Sequence, residues 1–334
     1  MKRVADNIVW GETTLETFFS AAFYVFSIVL LGIFIRVCTR RIKFLKFLKP
    51  IADYGFRVLN LLAIWVMLPI VVFVSLSRYT WTEIMSFGNA FVLAFFGLGA
   101  CFVASVVISR FSGDDRKTIV AVVLNSSFPN VTFLGFPVIY ALMGLAGLGP
   151  ATLYAVGISV PHLILGVMLT SSAARRKISI GSVIENVVTF PAAFALIVAL
   201  LFVGLEAPLP TFARDFFDVY LTKPFFALML LLVGYQMPIV NPRKYFKDLT
   251  MVSAMRFIVA PLITYALIMA LGLNLKTDIT PKPSMIQSIM PPAFFNFMLA
   301  WNYKLDLKMY GALIFYTTML SLFIVLPILF ILIF

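Results

Sequence analysis

The chain has 334 residues, of which 62% are hydrophobic and 12% charged, with a formal net charge of +12. A soluble domain carries roughly 25% charged residues, so this composition excludes a water-soluble globular protein and makes the bilayer the solvent. The positive balance is accounted for by loops beside an anionic leaflet, not by nucleic-acid binding.

A spanning helix needs about 20 apolar residues. Charge-free runs lie at 17–35, 58–77, 84–109, 118–174, 186–205, 224–242, 257–275, 283–303 and 309–334. The first lacks a small-residue cleavage site and reads as a retained span at 15–36, not as a signal peptide. The segment 40–50, RRIKFLKFLKP, interleaves basic and apolar residues; it either lies in the headgroup plane or simply fixes topology. The next runs predict spans 56–77 and 87–109. The run 118–174 holds 57 residues, about 85 Å as one helix, so it must fold back. The stretch GLAGLGP at 144–150 is the natural turn, giving spans 118–143 and 150–171. The remaining runs predict spans 183–204, 219–239, 250–272, 283–302 and 309–333. The expected fold is an all-α polytopic membrane protein of ten transmembrane helices, with no soluble domain.

Alternating these spans places eighteen lysines and arginines on one side and seven on the other, with Arg256 inside a span. The positive-inside rule makes the first side cytoplasmic and both termini extracellular in the cell membrane. A basic loop around Arg175–Lys177 divides the chain into 1–174 and 175–334, five spans each. An odd number of spans per half forces opposite orientations, so any repeat is inverted.

The fourth span is interrupted at Phe128-Pro129-Asn130 and the ninth at Pro291-Pro292. Proline deletes a backbone donor and clashes with the preceding turn, and broken backbone survives in hydrocarbon only inside protein or beside water. A broken helix exposes free N–H groups at the N-terminus of its second half, where the dipole adds positive charge. Two such ends form an anion site. Asn130 offers it two donors and one acceptor, although the same amide could cap the helix restart; binding is the preferred reading. Asn125, Gln287, Ser288 and Asn296 flank the breaks and either pair with freed backbone or touch substrate. For Arg256 a structural partnership with carbonyls, or interfacial anchoring, outweighs a coupling role. His162, the sole histidine, could relay protons, but neutral packing is preferred. Cys38 and Cys101 have no metal-ligand spacing, so neither disulfide, metal nor cofactor is expected. All 14 acidic residues fall in loops or at span edges. That placement argues against an enzyme and against a midplane carboxylate, though carbonyls at the breaks could still hold sodium.

The residues PNVTFLGFPVIYALMG at 129–144 carry the spacing Pro129, Asn130, Gly135, Pro137, Gly144. With AMRFIVAPL at 254–262, Asn60 and Leu68-Pro69, Gly234, Tyr303-x-x-Asp306 and Ser321 six residues before Pro327, the chain resembles the auxin efflux carrier family over nearly its whole length. The sixth span departs from it, with Val187 after Asn186 where the family often has proline. The resemblance implies an inverted 5+5 repeat with broken, crossing fourth and ninth helices, and an elevator-like motion of a transport domain against a scaffold. It implies that the asparagine at 130 contacts an anionic substrate near the crossover. The function expected is secondary transport of a small organic anion, a carboxylate that is auxin-like or a dicarboxylate. Substrate-binding candidates are Asn130, Pro129, Asn125, Pro291, Pro292, Gln287 and Asn296; Arg256, His162, Gly135 and Pro137 are structural or coupling candidates. The alternatives are a sodium-coupled symporter, or a ligand sensor or channel on the same fold. The partners expected are the anion, the lipid bilayer and a second copy in a homodimer.

Overall fold

The computed structural model describes residues 15–175, 181, 191–207 and 209–333. Lys2, Arg3, Arg176, Lys177, Asn186, Val187 and the expected start of the sixth span at 183 lie outside the described residues. Among the described residues the secondary structure is helical, and seven helical runs are long and apolar enough to cross a bilayer.

The chain begins with α1 (Leu15–Arg41), followed by α2 (Lys49–Leu62), α3 (Leu68–Leu76), α4 (Trp81–Arg110) and α5 (Arg116–Ser127). After the first break come α6 (Phe136–Met143) and α7 (Leu148–Ala173). The second part holds α8 (Pro191–Gly204), α9 (Thr211–Phe217), α10 (Lys223–Gln236), α11 (Phe246–Ala254), α12 (Ala260–Ala270) and α13 (Pro281–Ser288). After the second break follow α14 (Phe294–Asn302), α15 (Leu307–Leu320) and α16 (Leu326–Ile333).

Proline governs where these helices widen. The amides of Leu68, Phe136, Lys223, Ala260 and Leu326 each donate five residues back, to Ala63, Val131, Asp218, Met255 and Ser321. Each donor immediately precedes a proline: Pro69, Pro137, Pro224, Pro261 and Pro327. A proline ring crowds the carbonyl one turn back. Adding a residue to that turn, a π-bulge, relieves the clash and lets the helix continue. The α2–α3, α9–α10, α11–α12 and α15–α16 pairs are therefore continuous runs.

Polar and acidic side chains cap three of the helix starts. Thr80 and Glu83 form a capping box at the start of α4, Asp115 accepts from the Thr118 amide at α5, and Asp306 caps α15. Each such cap satisfies an orphan donor. Asp218 lies within the α9–α10 run, where Arg78 grips its carboxylate with both terminal nitrogens. The chain doubles back between α6 and α7: Gly144 has φ +62°, and Thr132 and Phe136 share a small cavity with Thr152, Ala155 and Ser159.

Two sets of helices pack closely. In one, α1 lies along α10 and α3 along α8; in the other, α4 lies along α7 and α5, with α12 against α4. The α1–α10 contact depends on glycine. A Cβ at Gly234 would lie 2.1 Å from the Val29 carbonyl oxygen, and one at Gly32 would lie 2.3 Å from that of Leu231. Without a hydrophobic drive between helices in lipid, such close backbone approach supplies the van der Waals attraction.

Gly234→Val is expected to lower stability by about 3 kcal/mol, because backbone and not a movable side chain must give way. No described atom lies within 4 Å of where a Cβ on Gly99 would stand, so Gly99→Val is expected to stay within about 0.5 kcal/mol of wild type. Thermal melts of the two purified variants in detergent check the contrast; equal melting temperatures would refute the close-contact account.

Candidate functional site

The two breaks are joined to each other. α5 stops at Ser127 because Phe128 precedes a proline and is held extended, at φ −105° and ψ 101°. The Asn130 amide donates to the Pro291 carbonyl at 2.7 Å, and the Ala293 amide donates to the Phe128 carbonyl at 2.9 Å. Pro129 and Pro292 face each other as an isolated antiparallel bridge. In such a pair the bonds come from the flanking residues, so the two positions that need no N–H are the ones proline occupies.

The freed carbonyls find donors. Arg256 is 2% exposed. Its Nε donates to Met290 O at 3.0 Å, Nη2 to Ser288 O at 2.5 Å and Nη1 to Ser126 O at 3.4 Å. Ser321 Oγ donates to Ile289 O at 3.0 Å. The guanidinium thus caps the C-terminal ends of both α5 and α13, where the helix dipoles are negative. Each bond from a charged donor contributes about 1.5–3 kcal/mol, which offsets the cost of burying the charge.

A second network holds the breaks from the side. His162 on α7 meets Asn296 Oδ1 through Nε2 at 2.7 Å. Asn296 Nδ2 donates to Leu124 O and to Asn125 Oδ1, and Asn125 Nδ2 donates to Ala121 O. Because Asn296 spends its amide hydrogens on those acceptors, its oxygen must receive, and His162 carries its proton on Nε2. The imidazole stacks on Phe128 at 4.2 Å and meets Phe295 edge-on.

Beside the restarting helices lies a cavity of about 670 Å³, within the usual range for small-molecule sites. Its wall takes in Asn130–Phe133 at the first restart and Ala293–Phe295 at the second. The described wall holds no Asp, Glu, Lys or Arg. Asn130, 6% exposed, caps the first restart: its Oδ1 accepts from the Phe133 amide at 3.2 Å. Ala293 provides no side-chain cap at α14.

The candidate residues divide by place. Asn130, Pro129 and His162 line the cavity. Asn125, Asn296 and Gln287 are wholly buried behind it, and Pro291, Pro292 and Arg256 hold the junction without lining it. Gln287 donates to Ala151 O, while its Oε1 has no partner among the described residues and lies 2.5 Å from where a Cβ on Gly135 would stand. A Cβ at Gly135 would therefore force the Gln287 amide to shift, and Pro137 imposes the π-bulge before it. Among the described residues no group of three or more metal-ligating side chains is assembled. The sequence reading missed Gln236, whose Nε2 donates to Asn60 Oδ1 at 3.0 Å across the cavity wall, and Trp65, Asn302 and Tyr303. These residues sit in or at the ends of ordinary apolar runs, and of the Asn60–Gln236 pair the sequence singles out only Asn60, as part of the family resemblance.

The profile of a family described as membrane transport protein matches residues 17–329. An uncharacterized transporter of Methanothermobacter thermautotrophicus is 26% identical over 282 residues, covering 83% of this chain and 89% of the relative. An uncharacterized transporter of Methanocaldococcus jannaschii is 25% identical over 280 residues, covering 80% of this chain and 87% of that protein.

Asn296→Leu removes the acceptor of His162 and the donors to Leu124 and Asn125 at nearly constant volume. Each buried group left unpaired costs about 1–3 kcal/mol, so the variant is expected to melt well below wild type. His162→Phe is expected to cost less in the Asn296→Leu background than alone, because the orphaned N–H goes with it. A four-way melting cycle measures this coupling, and strict additivity would mean the bond contributes nothing.

Proposed function

The chain belongs to the auxin efflux carrier family of membrane transport proteins, and from that premise we propose that it is a secondary transporter of a small organic anion. The observation that carries the reading is the cavity at the two helix restarts. Its described wall has no charged side chain, yet it receives the N-terminal turns of two helices. Those turns supply N–H donors and partial positive charge, which favour a carboxylate. Around them the wall is mainly apolar, with Ile64, Leu163, Met298 and Leu299 among its residues, which suits a carboxylate with an apolar body.

In this reading the ten spans form an inverted five-plus-five repeat, and the breaks are the crossover of its fourth and ninth spans. The motion is of the elevator type. The helix set α4–α7 with α11–α16 carries the site past α1–α3 and α8–α10, and the cavity wall draws on both sets: Asn60, Trp65 and Gln236 from one, Asn130, His162 and Phe294 from the other. The termini face outward across the plasma membrane, following the lysine and arginine bias.

Asn130→Asp separates binding from capping. Aspartate caps a helix as well as asparagine, so the Phe133 amide keeps its acceptor, but a negative charge enters the cavity. A carboxylate found by thermal-shift screening is expected to stabilise wild type and not Asn130→Asp, whose own melting temperature stays near wild type. Asn130→Ala is expected to weaken the same ligand by about tenfold to a hundredfold, for one charge-assisted bond of about 1.5–3 kcal/mol. Unchanged binding in both variants would remove Asn130 from the site.

With no acidic side chain on the described wall, anion flux in proteoliposomes is expected to follow an imposed membrane potential, at about 2.3 kcal/mol per charge per 100 mV. Flux that demands a pH gradient and ignores potential would overturn this coupling.

A further inference from the structure

In transporters with broken helices, unwound carbonyls and half-helix C-termini are where coupling cations bind. Here those carbonyls already have a cation. The Arg256 guanidinium reaches Ser126 O at the end of α5 and Ser288 O and Met290 O at the end of α13. Arg256 is 2% exposed, and no described carboxylate forms an ion pair with it. Its charge is thus balanced by two helix C-termini and not by a counter-ion. Burying a charge costs several kcal/mol, a cost that a side chain serving only to fill space would not incur.

We propose that Arg256 is a built-in cation that takes the place of a bound coupling cation between the two helix ends, so that the paired breaks hold together without a monovalent ion. The charge is covalently attached to the π-bulge Met255–Val259, which Pro261 imposes, and it cannot dissociate during a transport cycle. The carbonyl ends stay neutralised whether or not substrate is bound, and no ion gradient acts at this point. The consequence for coupling rests on reading the breaks as the transport site. The neutralisation itself does not, and its test needs no substrate.

The test compares melting temperatures of purified wild type, Arg256→Ala, Arg256→Gln and Arg256→Lys in sodium, potassium, guanidinium or choline chloride at equal ionic strength. Wild type is expected to melt alike in sodium, potassium and choline. Arg256→Ala and Arg256→Gln are expected to melt lower in choline and to recover saturably with tens of millimolar guanidinium or a small monovalent cation. Arg256→Lys, which keeps the charge, is expected to lie nearest wild type. A residue that only packed would give a lowered melting temperature with no cation specificity.

A saturable, sodium-specific stabilisation of wild type would overturn the proposal, because the cation would then have a site of its own. An Arg256→Gln variant as stable as wild type would overturn it too, as would neutral variants that no cation restores. If the neutral variants cannot be recovered from membranes while Arg256→Lys can, the requirement for charge is upheld by yield; loss of all three variants counts against it. Failure here leaves the anion site at Asn130 standing, since the Asn130 variants are read with a carboxylate and these with cations alone.

Discussion

Two backbone hydrogen bonds, Asn130 to Pro291 and Ala293 to Phe128, are the constraint on which the rest of this structure depends. Breaking a helix inside a bilayer strands amides and carbonyls, and each stranded group costs several kcal/mol. Neither break can be satisfied by its own segment, because its proline has removed a donor and ended the helical ladder. Each break instead completes the other. The four carbonyls from Ser288 to Pro291 each accept a donor from a distant part of the chain: Arg256, Ser321, Arg256 again, and Asn130. This is why residues far apart in sequence must come together at one point.

The junction also sorts electrostatics by direction. Both helices that end at the breaks turn their negative C-termini to Arg256, and both that restart turn their positive N-termini to the cavity. Positive side-chain charge is used where the backbone is negative, and the cavity is left to the backbone's own partial charge. The described wall accordingly carries no lysine or arginine.

Small residues and π-bulges make these arrangements possible at a distance. Gly135 yields space to Gln287, and Gly32 and Gly234 let α1 and α10 touch backbone to backbone. The five prolines that follow π-bulges keep helices continuous where an α-turn would clash, whereas Pro129, Pro291 and Pro292 lie where the ladder stops altogether. The difference lies in neighbours. A lone proline can be absorbed by a wider turn, but Pro291-Pro292 removes two successive donors, and Pro129 has a bridge partner waiting.

The sequence by itself determined the membrane class, the positions of both breaks and the turn near Gly144, because hydropathy, proline and glycine act through local backbone physics that any context must obey. It also singled out Asn130, His162, Arg256 and Asn296 as polar groups out of place in hydrocarbon. It left open whether Asn130 caps or binds, and the structure shows that its oxygen is already spent on the Phe133 amide. Helix ends ran past the charge-free runs, as at Lys43–Leu76, because lysine and arginine stems lie along apolar surface while their heads reach water. Only the tertiary structure decided that Arg256 serves both broken helices, that His162 donates to Asn296, and that Asn60 meets Gln236. Those pairings join residues 130, 134 and 176 positions apart, and no local pattern encodes which of several buried polar groups will meet once the helices have packed.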